Sequence, residues 1–92
     1  MNQVVLYSMK GCPWCDMMKD ALKQANIEFR DRDIDKYKKE YDMFVEATGN
    51  EYVPAFMLMK LDGETIKDVR LLAPERDYDD IHEAIEKVKN YL

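Results

Sequence analysis

The chain is poor in the residues on which metal sites and disulfide scaffolds depend. It has 2 Cys and 1 His among 92 residues. Two thiols and one distant imidazole fall short of the four ligands of a structural zinc site, so no zinc centre is expected within one copy. Cys12 and Cys15 would close a loop too small to constrain the unfolded chain, so they are not scaffolding either. Glycine and proline are scarce, with 3 of each, and no repeat, linker or low-complexity segment interrupts the pattern. No apolar run approaches membrane-spanning length. Near the amino terminus the apolar stretch is only Val4 to Tyr7, shorter than the core of a secretory signal. Positive charge is also in short supply: 14 Lys and Arg face 19 Asp and Glu, a net charge of −5. That balance argues against binding a phosphate backbone. The expectation is a soluble, monomeric, cytoplasmic protein with no nucleic-acid or membrane partner.

What is present reads as one α/β domain over residues 1–92 with the order β-α-β-α-β-β-α. Gln3 to Tyr7 suits a buried strand. Pro13 suits the first position of a helix whose apolar residues Met18, Ala21, Leu22 and Ala25 recur at helical spacing. Ile27 to Ile34 has a charged middle, "RDRD", fit for an edge strand guarded against further pairing. Asp35 is a candidate cap for a second helix carrying Tyr37, Tyr41, Phe44, Val45 and Thr48 on one stripe, with Gly49 as its stop. "VPAFMLM" is apolar enough for a strand covered on both faces. Asp62-Gly63 then signals a hairpin, pairing "ETIKDVR" with Ala55 to Met59. A last helix turns Ile81, Ala84, Ile85, Val88 and Leu92 inward, with Asp77 as its expected cap and Asp80 at the third position.

Within this frame the two cysteines flank Pro13 and Trp14 at the start of the first helix. Residues three apart on a helix lie on neighbouring turns, so Cys12 and Cys15 come within disulfide reach without backbone movement. Cys15 belongs to the buried stripe, whereas Cys12 is expected to be exposed where the loop meets the helix. Unpaired amides of the first turn point at Cys12 and favour its thiolate, the reactive form in thiol exchange. A helix terminus contributes roughly 0.3–2 kcal/mol, about one unit of thiol pKa at about 1.36 kcal/mol per unit. Lys10, the only basic residue in the loop before Cys12, either assists this or is a solvated lysine. Trp14 is either a surface facing partners or a cover for the loop. His82, at the edge of the last helix, is read as a surface residue, and the methionines as packing.

The stretch "VVLYSMKGCPWC" resembles the first strand and active-site loop of glutaredoxins, with Trp14 in place of the usual tyrosine. "TGNEYVP" resembles a second segment of that family and marks Pro54 as a cis-proline. The resemblance implies a thioredoxin-like fold, a four-stranded mixed sheet flanked by three helices. It also implies a dithiol-disulfide oxidoreductase with Cys12 as nucleophile and Cys15 as resolving thiol. Glutathione is the implied reductant, with no tightly bound cofactor. The implied substrates are protein disulfides, glutathione mixed disulfides or ribonucleotide reductase. Lys10, Pro13, Trp14, Val53, Pro54, Asp79 and Asp80 are the implied substrate and glutathione contacts.

The sequence departs from the family pattern in two places. The family's loop lysine stands at the position of Met9 and is here displaced to Lys10. A glycine pair ahead of the acidic residues is replaced by Arg76 and Asp77. Asp79 and Asp80 are therefore either glutathione contacts or simple helix caps. Two alternatives stay open: reduction by thioredoxin reductase, and an iron-sulfur cluster shared by two copies through Cys12 and glutathione.

Overall fold

The computed structural model describes residues Met1–Leu92. Its elements follow the expected order: β1 (Asn2–Ser8), α1 (Pro13–Gln24), β2 (Arg30–Asp33), α2 (Lys38–Thr48), β3 (Ala55–Asp62), β4 (Thr65–Leu72) and α3 (Ile81–Tyr91). The four strands form one sheet in the order β2-β1-β3-β4. β2 runs parallel to β1, whereas β3 is antiparallel to both β1 and β4.

Alternation along β1 divides the interior in two. Val4 and Leu6 face a core with Met18 and Leu22 of α1 and Ala84, Ile85, Val88 and Tyr91 of α3. Val5 and Tyr7 face the other side, where Tyr41 and Phe44 of α2 close a smaller core. The Tyr7 ring meets Phe44 edge-on at 5.2 Å between centroids. Its hydroxyl donates to Glu40 Oε1 at 2.9 Å, and Arg32 pairs with the same carboxylate. Burial, reinforced by Glu40, pushes the Tyr7 hydroxyl well above its ordinary range. Full burial of a side chain such as Leu22 contributes about 1.5–3 kcal/mol, so these two layers hold the sheet between its helices.

Several boundaries differ from the sequence reading for identifiable reasons. β2 is confined to Arg30–Asp33, because only that stretch has β1 residues opposite it, from Val5↔Arg30 to Ser8↔Asp33. Ile27 is instead buried in the larger core, after a left-handed turn at Asn26. Asp35 does not cap α2: its amide is bound by Asp33 Oδ1 in a local turn, and Tyr37 is the cap residue, without a side-chain hydrogen bond. Gly49 ends α2 with a φ of 70°, which glycine adopts freely.

Across the hairpin, Asp62 pairs with Thr65, so the two-residue loop is Gly63-Glu64 rather than Asp62-Gly63. Asp77 does not cap α3 either. Asp80 does, and at the other end Tyr91 is buried while Leu92 is exposed.

Candidate functional site

The sheet topology brings two loops to one end of the molecule. Tyr7 pairs with Ala55, so the end of β1, which leads to Cys12, lies beside the start of β3, which follows Pro54. The Val53–Pro54 peptide bond is cis, as the motif implied.

Cys12 is the N-cap residue of α1, with extended backbone, and Pro13 follows as the first helical residue. Proline's fixed φ suits this position, and its missing amide would have had no partner there. Cys12 and Cys15 are joined in a disulfide with Cα atoms 5.2 Å apart. The Cys15 amide donates to Cys12 Sγ at 3.1 Å, so a backbone donor is already aimed at the sulfur that would carry negative charge after reduction. Cys15 is fully buried. Cys12 is 8% exposed, which corrects the expectation of an exposed sulfur while keeping the order of accessibility. Trp14 is 42% exposed between them, and Met9 and Met17 are also exposed.

The second loop is tied down by side chains. Asn50 Oδ1 accepts from the Tyr52 amide at 2.9 Å, while Asn50 Nδ2 donates to the Pro74 carbonyl at 2.7 Å. The hydroxyl of Tyr78, itself buried, donates to the Pro54 carbonyl. Burial, with Asp77 nearby, raises the Tyr78 hydroxyl well above its ordinary range, so this donor keeps its proton. Sequence reasoning missed both Asn50 and Tyr78. An Asn two residues before Tyr52 was a turn signal, but nothing local marked Tyr78 as the anchor of Pro54.

Tyr78 brings the acidic pair's segment toward the cis-proline, yet Asp80 has a partner of its own. Its Oδ1 accepts from the Glu83 amide at 2.7 Å, and Glu83 Oε1 accepts from the Asp79 amide at 2.8 Å. This reciprocal arrangement resembles a capping box. Glu83, three residues after Asp80, was the signal that distinguishes Asp80 from Asp77 as the cap. Asp77 Oδ2 instead accepts from the Ala73 amide and Arg76 Nε, each at 2.8 Å. Arg76 Nη2 donates to the Leu71 carbonyl at 2.8 Å. Arg76 and Asp77 thus close their turn through side chains.

Lys10 is exposed and belongs to none of the molecule's ion pairs. With Gly11, Asp16, Lys36 and Tyr37 it lines a polar cleft of about 530 Å³ beside the cysteine loop. No group of three or more His, Cys, Asp and Glu side chains gathers where a metal ion could be held. No helix is long and apolar enough to cross a membrane.

Three solved structures and one sequence relative place this arrangement among known proteins. The thioredoxin-like protein BC3987 superposes with a TM-score of 0.59 at 21% identity, covering 98% of this chain and 100% of its own. A mutant of that same protein gives 0.58 at 20% identity, with 96% of each chain covered. Trichomonas vaginalis thioredoxin gives 0.59 at 20% identity, covering 99% of this chain and 79% of its own. These similarities establish the thioredoxin-like fold. A Clostridium pasteurianum protein described as an uncharacterized glutaredoxin-like 8.6 kDa protein in the rubredoxin operon is 32% identical over 63 residues. That match spans 68% of this chain and 80% of the relative. The glutaredoxin family model matches residues 4–64, which include the cysteine loop and Val53-Pro54 but stop short of Asp79-Asp80. Fold, cysteine motif and cis-proline thus converge with the family match: the chain belongs to the glutaredoxin family, whose thiol-disulfide redox chemistry falls here on Cys12 and Cys15.

Proposed function

We propose that the protein is a glutathione-linked dithiol-disulfide oxidoreductase that reduces protein disulfides or glutathione mixed disulfides. One observation carries this reading: Cys12 caps α1 with a backbone amide already on its sulfur, at the end of the sheet where Pro54 immediately precedes β3. In the reduced protein the Cys12 thiolate attacks one sulfur of the substrate disulfide. A Cys12–substrate bond forms, and the other substrate sulfur leaves as a thiolate that takes up a proton. Cys15, once deprotonated, attacks Cys12 and expels the second substrate thiolate. The substrate gains two electrons, and the protein ends as the Cys12–Cys15 disulfide. Two glutathione molecules return it to the dithiol and leave as glutathione disulfide.

In this reading Val53 offers its backbone to the substrate or to glutathione. Pro13 and Trp14 line the approach to Cys12. Lys10 meets a glutathione carboxylate, and Asp79 with Asp80 meets the γ-glutamyl end. Ribonucleotide reductase is one protein substrate of suitable chemistry. The protein acts in the cytoplasm as a monomer. Engagement of Asp80 by Glu83, and closure of the neighbouring turn by Arg76 and Asp77, favour a looser grip on glutathione. Losing one charge-assisted hydrogen bond costs about 1.5–3 kcal/mol, or roughly one to two orders of magnitude in affinity.

The same observation supports a second reading, reduction by a flavoprotein thioredoxin reductase. A coupled NADPH assay run in parallel with glutathione reductase and with thioredoxin reductase separates the two. Turnover is expected with glutathione and glutathione reductase, at a raised glutathione requirement that Lys10→Ala raises further and Glu64→Ala leaves alone. Turnover with thioredoxin reductase only would overturn the glutathione link and leave the dithiol chemistry standing. A coloured, iron-containing dimer on purification would instead favour the cluster-binding alternative.

A further inference from the structure

Ser8, Asp31 and Lys19 form a chain of contacts that the steps above do not use. Ser8 ends β1 immediately before the turn that delivers Cys12, and it is 3% exposed. It is the one buried polar residue apart from tyrosines and cysteines. Its hydroxyl donates to Asp31 Oδ1 at 2.5 Å, and Asp31 Oδ2 lies 2.9 Å from Lys19 Nζ. The end of β1, the edge strand β2 and helix α1 are thus fastened together by charge-assisted hydrogen bonds.

Lys19 follows Cys15 by four residues on α1, and Ser8, Lys19 and Asp31 line the same cleft as Met9, Lys10 and Gly11 of the loop that leads to Cys12. Side chains four apart on a helix have Cβ atoms roughly 5–6 Å apart. Asp31 restrains this cation against free excursion into solvent: the Lys19 and Asp31 side chains are only 26% and 41% exposed. Partial burial opposes ionisation of Asp31, but the Lys19 ammonium and the Ser8 hydroxyl outweigh it and hold the carboxyl below its ordinary range. Asp31 is therefore held as a carboxylate facing the lysine of the cysteine helix.

Reduction converts a neutral disulfide into a thiol and a thiolate. A nearby cation stabilises that reduced form, and a nearby anion opposes it. We propose that the Lys19–Asp31 pair, anchored by Ser8, sets the reduction potential of the Cys12–Cys15 couple by fixing how much positive charge reaches the sulfurs. Lys19 and Asp31 are positioning residues in this scheme and do not contact substrate. The inference rests on the thiol-disulfide reading and adds a determinant that the cysteine motif does not contain.

The sign of the effect separates this role from that of a structural clamp. Removing Asp31 leaves Lys19 uncompensated and shifts the equilibrium toward the dithiol. Removing Lys19 leaves Asp31 uncompensated and shifts it toward the disulfide. A clamp that only held the loop in place would give both variants a shift in the same direction, or none.

The experiment equilibrates the protein in dithiothreitol redox buffers at neutral pH and low salt, and reads the oxidised fraction by thiol alkylation and mass spectrometry. Asp31→Asn is expected to shift the equilibrium constant about three- to tenfold toward the dithiol, and Lys19→Gln by a similar factor toward the disulfide. Tenfold corresponds to about 30 mV for a two-electron couple. The double variant is expected to return close to the parent, and Lys19→Arg to stay there. Asp31→Ser, which also removes the charge, substitutes if Asp31→Asn fails to fold. Shifts of one sign in both single variants, or shifts below twofold in both, would overturn this inference alone. A parent protein that does not equilibrate as a two-electron couple would overturn the thiol-disulfide reading as well.

Discussion

Helices α1 and α3 begin in the same way and to different ends. Each has an N-cap residue with extended backbone whose side chain accepts the amide three residues on: Cys12 from Cys15 at 3.1 Å, and Asp80 from Glu83 at 2.7 Å. At α3 the cap is a carboxylate whose neighbours reciprocate, since Glu83 returns a bond to the Asp79 amide. At α1 the cap is a sulfur that is also bonded covalently to Cys15. The comparison teaches that one backbone device, a helix start with unpaired amides, serves chemistry or stability according to the atom placed in it.

The largest effect comes from changing that atom at α1. Cys12→Ser keeps a good capping residue, so the protein should unfold within a few degrees of the parent while disulfide reduction falls to background. Thermal unfolding followed beside a disulfide-reduction assay checks this. Substantial residual reduction would show that Cys12 is not the attacking thiol.

A smaller effect is expected at α3. Asp80→Ala should lose about 1 kcal/mol, within the roughly 0.5–2 kcal/mol typical of lost caps. For a chain of this size that means about 4–8 °C in Tm. Asp80→Ser keeps the cap and removes the charge, so its Tm should stay near the parent's. Any rise in its glutathione requirement then reports on the carboxylate's contact with glutathione, free of the stability change.

The smallest effect lies at the far end of α3. The Tyr91 hydroxyl donates to Asp68 Oδ2 at 2.8 Å, and burial followed by that bond pushes it up to about 12. The folded protein therefore holds this proton above about pH 10, where the unfolded chain has lost it. The resulting stability is complete below about pH 10 and is lost as pH rises toward about 12. Urea unfolding across that range should show a decline that Tyr91→Phe makes shallower. An equal decline in the variant would assign the effect to other groups.

Element order and the cysteine helix were legible in the sequence because each rests on local chemistry, whereas the cis-proline was legible only through the resemblance of "TGNEYVP" to a family segment. Pro13 fixes a helix start, Gly49 permits a left-handed stop, and the apolar residues of α1 and α3 keep helical spacing. The misreadings arose where neighbouring residues competed for one role. Asp77 and Asp80 both precede the apolar stripe of α3, and only Glu83 distinguishes them. Asp33 and Asp35 both precede α2, yet Asp33 holds a turn and neither caps the helix. Contacts distant in sequence were not legible at all. Tyr78 reaches Pro54 across 24 positions, and Ser8 reaches Asp31 across 23. Such bonds follow from how the sheet assembles, which local pattern does not encode.

The central claim is that the capping sulfur, Cys12, is the one that bonds to substrate, with Cys15 behind it as the resolving thiol. Its most direct test is to incubate Cys15→Ser with glutathione disulfide and with a protein disulfide, quench with acid, and locate the adduct by peptide mass spectrometry. The predicted result is a stable mixed disulfide on Cys12 with either substrate, with exchange of small glutathione disulfides retained and protein disulfide reduction largely lost. An unmodified Cys12 in this variant, together with an adduct on Cys15 in Cys12→Ser, would contradict it.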